Sequence, residues 1–293
     1  MTQPLPPYVL GRVTGAEPVT PLMRRITLEA DDWCGAVPVA PDQQVKLFFA
    51  RDGGVPEVPG APEDGSGVAG WYARYLAVPE DVRPWMRSYT VRHLDPDEGV
   101  MVIDFVLHGG GHGAAGDPGG GHGPASHWAE SAGLGDVVGV LGPAIATYRT
   151  PSGEPVRLLV GDETALPAIG AIVEQLPAGT RAVVVAEVAG PAEEQVWGSE
   201  AEQELHWVHR GTGLSLPEAV RTLALPDEPV FAWVAGEASD VRAVRRHLVG
   251  ERGLAKQSVS FTGYWRRDMT QDDAPTEQDM ADAAEQMAAA GQG

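Results

Sequence analysis

The hydrophobic rhythm of the chain changes near Pro143–Pro155, and that change limits it to a fold in two parts. Before this point, short runs rich in Val, Leu and Ile are punctuated by Gly and Pro, the pattern of antiparallel strands joined by turns. Tyr8–Thr14, Leu22–Glu29, Val45–Ala50, Met86–His93, Val100–His108 and Asp136–Leu141 read as strands, with one helix near Ala125–Ala132. Six strands of this kind predict a small antiparallel β barrel. After the change, continuous apolar runs alternate with helical segments. Val156–Val160, Ala182–Val188, Leu205–His209, Val230–Ala235 and Val259–Tyr264 read as strands, and Thr164–Leu176, Leu216–Ala224 and Ser239–Glu251 as helices. Apolar strands between helices indicate an α/β unit with a parallel sheet covered on both faces. The expected division is 1–148 for the barrel, 149–267 for the α/β unit and 268–293 for a tail.

The chain has 293 residues, enough for two domains of ordinary size. Its formal net charge of −20 argues against nucleic acid and against anionic membranes, which both select clustered Lys and Arg. No apolar run approaches the ~20 residues of a membrane helix. The start, Met1-Thr2-Gln3-Pro4, has neither the cationic nor the apolar part of a secretory signal. Cys34 is the only cysteine, so an internal disulfide is excluded and a cytoplasmic location is expected. A monomer or weak dimer is the expected assembly. An anionic ligand would need local cations, and the candidates are Arg24-Arg25, Lys46, Arg245-Arg246, Lys256 and Arg266-Arg267. From Asp268 onward there are seven acids and no Lys or Arg. There Thr276 is a candidate N-cap before Met280, Ala283, Ala284 and Met287, which predicts a weakly docked helix. Two polar segments interrupt the barrel region, Asp52–Gly70, expected to be mobile, and Gly109–Gly123.

Three motifs carry chemistry. The first is Arg87-Ser88-Tyr89-Thr90-Val91-Arg92. Alternate residues of a strand share a face, so Arg87 and Tyr89 point one way, with Thr90 turned to the other side or to the strand end. An Arg fork suits phosphate oxygens, and a Tyr offers a face for stacking and a hydroxyl for a ring edge. The second is the strand containing Asp104, Phe105, Val106 and His108, with a single acid inside an apolar run. The third is Gly123-Pro124-Ala125-Ser126-His127-Trp128, a helix start whose backbone N–H groups suit phosphate. In the second half, Asp162-Glu163-Thr164-Ala165 follows a strand and opens a helix, with Thr164 as its candidate cap. Gly236-Glu237 ends another strand at the same edge of the sheet. Ligands of open α/β sheets bind at that edge. Glu187 near the end of its strand favours a ribose diol, while Arg210 and Arg181 favour a 2′-phosphate. Gly111-His112-Gly113-Ala114-Ala115-Gly116 matches the dinucleotide fingerprint only formally, because Asp117-Pro118-Gly119 follows it instead of a helix. The histidines at 108, 112, 122 and 127 match no zinc spacing, and no metal site is expected.

Arg-x-Tyr-Thr-x-Arg at 87–92, Asp104 followed by His108-Gly109, and Gly-Pro-Ala-Ser-x-Trp-Ala at 123–129 together resemble the siderophore-interacting protein family. The likeness runs from about residue 8 to residue 267 and includes Val13–Leu28, Gly161–Ala168, Gly236-Glu237 and Gly263–Arg266. It implies an FAD-dependent ferric-siderophore reductase of the ferredoxin-reductase superfamily, with FAD on the barrel and NADH or NADPH on the parallel-sheet domain. The resemblance implies that basic residues such as Lys46 and Arg266 hold the ferric siderophore near the flavin, with Trp265 beside them. No residue is required as nucleophile or acid–base. A flavin reductase acting on a protein or free flavin, or a carrier of ferric siderophore without turnover, are the alternatives.

Overall fold

The computed structural model describes residues 6–62, 64–107, 123–149, 151, 153–267, 269, 276 and 280–281. The N-terminal part is an antiparallel sheet of β1 (Tyr8–Thr20), β2 (Met23–Glu29), β3 (Gln44–Phe49), β4 (Trp85–Thr90), β5 (His93–Asp95), β6 (Val100–Val106) and β7 (Val137–Ile145). The strand order is β4-β3-β7-β1-β2-β6-β5. Its two edges are one piece of chain. Only Val91 and Arg92 separate β4 from β5. The Val91 N–H donates to Gln43 O at 2.9 Å and the Arg92 N–H donates to Val102 O at 2.8 Å. The chain thus bends from the β3 edge to the β6 edge and brings the sheet round on itself. With β4 and β5 counted as one bent strand, six strands form the barrel, as the sequence predicts. Alternate residues, among them Val13, Ile26, Leu28, Val45, Leu47, Ile103, Phe105 and Val140, fill its core. A short helix, α2 (Pro124–Ser131), plugs one end with Ala125 and Ala129.

The segment expected to be a mobile loop contains the start of a helix, α1 (Gly67–Ala77). Its Trp71 and Tyr75 pack with Phe48 and Leu141 against the outer barrel wall. The reason lies in donors as well as in burial. A Pro-rich loop lacks N–H groups, and aromatic side chains hold its carbonyls instead. Tyr8 Oη donates to Pro56 O at 2.7 Å and Trp71 Nε1 to Pro59 O at 2.7 Å, and beyond the helix Tyr75 Oη donates to Pro84 O at 2.6 Å.

The C-terminal part is a parallel sheet of β8 (Val156–Asp162), β9 (Arg181–Val188), β10 (Glu202–His209), β11 (Val230–Glu237) and β12 (Val259–Trp265), in the order β10-β9-β8-β11-β12. The helix α3 (Leu166–Glu174) covers one face, and α4 (Leu216–Thr222) and α5 (Ala238–Arg246) cover the other. Two helix ends differ from expectation. Helix α3 begins at Leu166 and is not capped by Thr164. Helix α5 stops at Arg246, and His247–Glu251 forms a wider π turn. That turn brings the buried His247 Nδ1 to 2.8 Å from Glu251 Oε2 and its Nε2 to 3.1 Å from Arg252 Nε. In the tail, the Met280 N–H donates to Thr276 O at 3.1 Å, and the rest of the expected helix lies outside the described residues.

The two sheets meet through an apolar patch, where Met23 and Val106 join the core under α3, and through directional polar contacts. The Asp42 carboxylate, ahead of β3 and 1% exposed, takes four donors with one oxygen. These are Thr147 N–H at 2.9 Å, Thr147 Oγ1 at 2.6 Å, Tyr148 N–H at 2.7 Å and Trp233 Nε1 of β11 at 3.1 Å. Glu193 accepts from Leu22 N–H at 3.1 Å and from the Thr20 hydroxyl, and Arg92 pairs with Glu174 of α3 at 2.7 Å. Replacing Asp42 by Ala strands four donors at the junction. Asp42→Ala is expected to lower stability by about 3 kcal/mol, read as a drop in the urea midpoint. An unchanged midpoint would show that the junction does not depend on this group.

Candidate functional site

A single cleft of about 1920 Å³ separates the barrel from the carboxyl ends of the parallel strands. Ligand pockets commonly hold ~300–1,000 Å³, so the cleft has room for two extended ligands. Its barrel wall includes Lys46, Arg87, Ser88, Tyr89, Thr90, Asp104, Val106, Gly123, Ala125 and Ser126. Its sheet wall includes Asp162, Glu163, Thr164 and Glu237, and Trp265 and Arg266 lie where β12 ends. Phe105, Pro124, Trp128, Ala165 and Gly236 do not line it. Phe105 is fully buried, and its ring supports Tyr89 at 4.4 Å and Trp128 at 5.6 Å. His108 and the histidines at 112 and 122 lie outside the described residues. Among the described residues there is no group of three or more His, Cys, Asp or Glu able to hold a metal ion. None of their helices is long and apolar enough to cross a membrane.

The register of β3 and β4 sets the barrel wall. Val45 faces Tyr89 and Leu47 faces Arg87, while Gln44 faces Thr90 and Lys46 faces Ser88. Opposed residues share a face, so Arg87 and Tyr89 point one way and Ser88 and Thr90 the other. Lys46 Nζ donates to Ser88 Oγ at 2.5 Å, and burial pulls the Lys46 ammonium below its usual range. Burial pushes the Tyr89 phenol up. The strand acid Asp104 is 2% exposed, and Arg25 from the neighbouring strand holds it through Nε at 2.7 Å and Nη2 at 2.8 Å. Its carboxylate is therefore engaged by protein. Of the candidate cation islands, Arg25 is tied to Asp104, and Arg24 donates to the carbonyls of Glu130 and Ala132. Lys46, Arg266 and Arg267 reach the cleft. No side chain caps the start of α2 at Gly123.

Asp162 organises the sheet wall. Its Oδ1 accepts from Thr164 N–H at 2.9 Å and from Thr164 Oγ1 at 2.5 Å, which explains why Thr164 does not cap α3. Its Oδ2 accepts from Glu237 N–H at 2.8 Å and from Trp265 Nε1 at 2.7 Å. One carboxylate thus gathers the ends of β8, β11 and β12. Glu237 caps α5, accepting from Ser239 N–H at 2.8 Å and Asp240 N–H at 3.1 Å. Gly161 leaves no space for a ligand, because a Cβ there would lie 2.4 Å from Ala165 Cβ and 2.8 Å from Ala235 O.

Arg210, just past β10, reaches Glu163 through Nη2 and Glu187 through Nε at 3.4 Å. Burial, then the neighbouring Asp162, push the Glu163 carboxyl up, and Arg210 opposes them. Arg181 pairs with Glu204 at the opposite end of β9, so it cannot act on a ligand here. The cleft also contains Gln44, Glu193, Asp240 and Thr262, which no sequence motif marked, and Tyr264 of the Gly263–Arg266 segment. Tyr264 is half-buried beside Gln44 and Thr90, and burial raises its phenol.

Residues 12–147 match the family model for a siderophore-interacting FAD-binding domain, and residues 155–268 match the one for siderophore-interacting protein. The ferric vibriobactin reductase ViuB of Vibrio cholerae is 30% identical over 83% of this chain and 83% of its own length. The chain belongs to the siderophore-interacting protein family. Among solved structures, a siderophore utilization protein from T. fusca shares 31% identity with a TM-score of 0.70, over 93% of this chain and 97% of that one. The siderophore-interacting protein SipS from Aeromonas hydrophila shares 26% identity with a TM-score of 0.65, over 90% and 100%. Structures at 13–15% identity extend the same fold to ferredoxin reductases and a flavohaem-like FAD/NAD domain. FAD fits the residues present. Arg87 offers a fork to phosphate, α2 offers a start that no side chain caps, and the hydroxyls of Ser88, Tyr89 and Thr90 offer partners for a polar ring edge.

Gly236 has φ +133°, and a Cβ there would lie 2.6 Å from Asp162 Oδ2. In this siderophore-interacting protein, Gly236→Ala is expected to cost at least ~2 kcal/mol by backbone strain and overlap, measured by urea denaturation. A loss below ~0.5 kcal/mol would show that the strand ends relax around the new methyl.

Proposed function

We propose that this chain reduces ferric siderophores, with FAD held by residues 1–148 and a nicotinamide donor by residues 149–267. The observation that carries the reading is the one continuous cleft bounded by the Arg87–Thr90 strand and by the carboxyl ends of β8 and β11. The relatives named ferric vibriobactin reductase and ferric acinetobactin reductase support it. In this reading Arg87 and the first turn of α2, Gly123 to Ser126, hold the diphosphate. Tyr89 covers the ring, Ser88 and Thr90 hydrogen-bond its edge, and backbone of the Asp104–Val106 strand flanks it. The donor lies along Asp162, Glu163, Thr164 and Glu237, with Ala165 and Gly236 shaping the wall behind. Glu187, at the end of β9, favours NADH.

FAD, when bound, takes a hydride and releases electrons singly, so one donor reduces two ferric complexes. The protein supplies placement. Lys46 and Arg266 attract an anionic ferric complex, and Trp265, tethered to Asp162, walls the same side. Fe(II) holds hard oxygen ligands less tightly than Fe(III), so reduction releases the metal. No side chain acts as nucleophile. The site of action is the cytoplasm, and the acting species is a monomer or weak dimer.

The test is anaerobic. The purified protein is expected to carry FAD, to be bleached by NADH or NADPH, and to be reoxidised by a ferric siderophore with Fe(II) captured by a chromogenic chelator. Absence of Fe(II) would overturn the reductase reading. Arg87→Ala is expected to weaken FAD binding about 10- to 100-fold, the equivalent of one charge-assisted contact. Lys46→Ala and Arg266→Ala are expected to raise the KM for an anionic ferric complex several-fold, with the difference from the parent protein shrinking as salt screens it. Unchanged kinetics in both would remove them from the iron site.

A further inference from the structure

The carboxyl edge of the parallel sheet is the wrong sign for a dinucleotide. Asp162, Glu163, Glu187, Glu237 and Asp240 all reach it. Arg267 donates to Asp240 at 2.5 Å. Arg210 is shared between two acids, through Nη2 to Glu163 and through Nε to Glu187 Oε1 at 3.4 Å. The two acids are largely buried, with side chains 18% and 16% exposed, against 36% for Arg210. Two carboxylates facing one guanidinium leave a net negative charge at this point. The contact with Glu163 is the short one, and it directs the guanidinium along the wall. The longer contact uses only one oxygen of Glu187, which leaves the other to accept from a ligand.

The two nicotinamide donors differ in one group at this kind of position. The ribose of NADH presents a diol, which donates hydrogen bonds to a carboxylate. NADPH presents a phosphate of charge about −1.5 to −2, which needs a cation. We propose that Glu163 sets the choice of donor. By holding Arg210 it withholds that guanidinium from a 2′-phosphate, and Glu187 takes the 2′-hydroxyl of NADH. The inference rests on the reading of this edge as the donor site. It assigns Glu163, which need not touch the ribose, as the residue on which the discrimination turns, with Arg210 as the group it controls.

The experiment measures binding of ADP and of 2′,5′-ADP to the FAD-loaded protein by calorimetry, so that the readout does not depend on turnover. The parent protein is expected to bind ADP more tightly. In Glu163→Gln the preference for ADP is expected to fall about tenfold, because the neutral amide holds Arg210 less tightly and the guanidinium becomes available to the added phosphate. In Glu163→Gln combined with Glu187→Gln it is expected to reverse. Combining Glu163→Gln with Arg210→Ala is expected to cancel the gain of the single variant. The ratio of half-saturating NADPH to NADH for flavin bleaching should move in the same direction. A parent protein that prefers 2′,5′-ADP, an unchanged ratio in both Gln variants, or a gain that persists without Arg210 would each overturn the proposal. If NADH bleaches the flavin while the ratio stays fixed, only the role of Glu163 falls. If neither nucleotide binds and neither donor bleaches the flavin, the donor site itself is misassigned and the proposal falls with it.

Discussion

The cleft exists because an antiparallel and a parallel sheet stand at a fixed separation, and the Asp42 carboxylate fixes it. It sits on the barrel side, 1% exposed, and its partners lie in the connecting segment and in β11 of the parallel sheet. Burying a carboxylate costs hydration, and here four donors converge on Oδ2 while Oδ1 is buried with no partner among the described residues. Apolar contacts between Met23, Val106 and the α3 core hold the halves together but permit sliding. Hydrogen bonds are directional and do not. Glu193 against the β1–β2 turn and Arg92 against Glu174 fix two further points. Two adjoining rigid bodies are oriented once three such points are set.

Periodicity made the architecture legible, and partnership made the site illegible. The barrel strands and the parallel sheet follow from alternation and apolar runs, because those patterns act within a segment. Strand β1 extends to Thr20, beyond its expected end at Thr14, since Gly15 and Pro18 read as breaks. The structure accommodates both at irregularities in the pairing with β2. Helix α1 was hidden by the Gly, Pro and acids around Asp52–Gly70, although Trp71 and Tyr75 are four apart on one face. The partner of Asp104, Arg25, is directly opposite in β2 and remote in sequence, so this pairing cannot be read from either strand alone. The same holds for Arg210, whose two acids come from the ends of β8 and β9. The arrangement of Arg87 to Thr90 along the cleft needs only the strand period and the register against β3, and both are local.

Charge is distributed by wall. On the barrel side Lys46 and Arg87 face the cleft, while Asp104, the acid there, is neutralised by Arg25. On the sheet side acids outnumber cations, and the guanidiniums of Arg210 and Arg267 are already paired. A chain of net charge −20 can therefore hold an anionic group tightly in one half of a cleft and discriminate between anions in the other. Burial of Lys46 has a cost, visible in its lowered proton affinity. A cation kept there against that cost has more influence on a desolvated ligand than one in solvent.

The bent strand from Trp85 to Asp95 does two jobs, bringing the edges of the barrel together and presenting Arg87, Ser88, Tyr89 and Thr90 to the cleft. Substitutions there are filtered twice, once for the ladder and once for what the cleft contains. Arg266, one residue past β12, belongs to no ladder beyond a single bridge to Met269. Its exchange would break no ladder within either sheet. On the reading proposed above, the rim that receives the acceptor can drift while the strand that would cradle the cofactor stays fixed, so diversification should proceed from the rim inward.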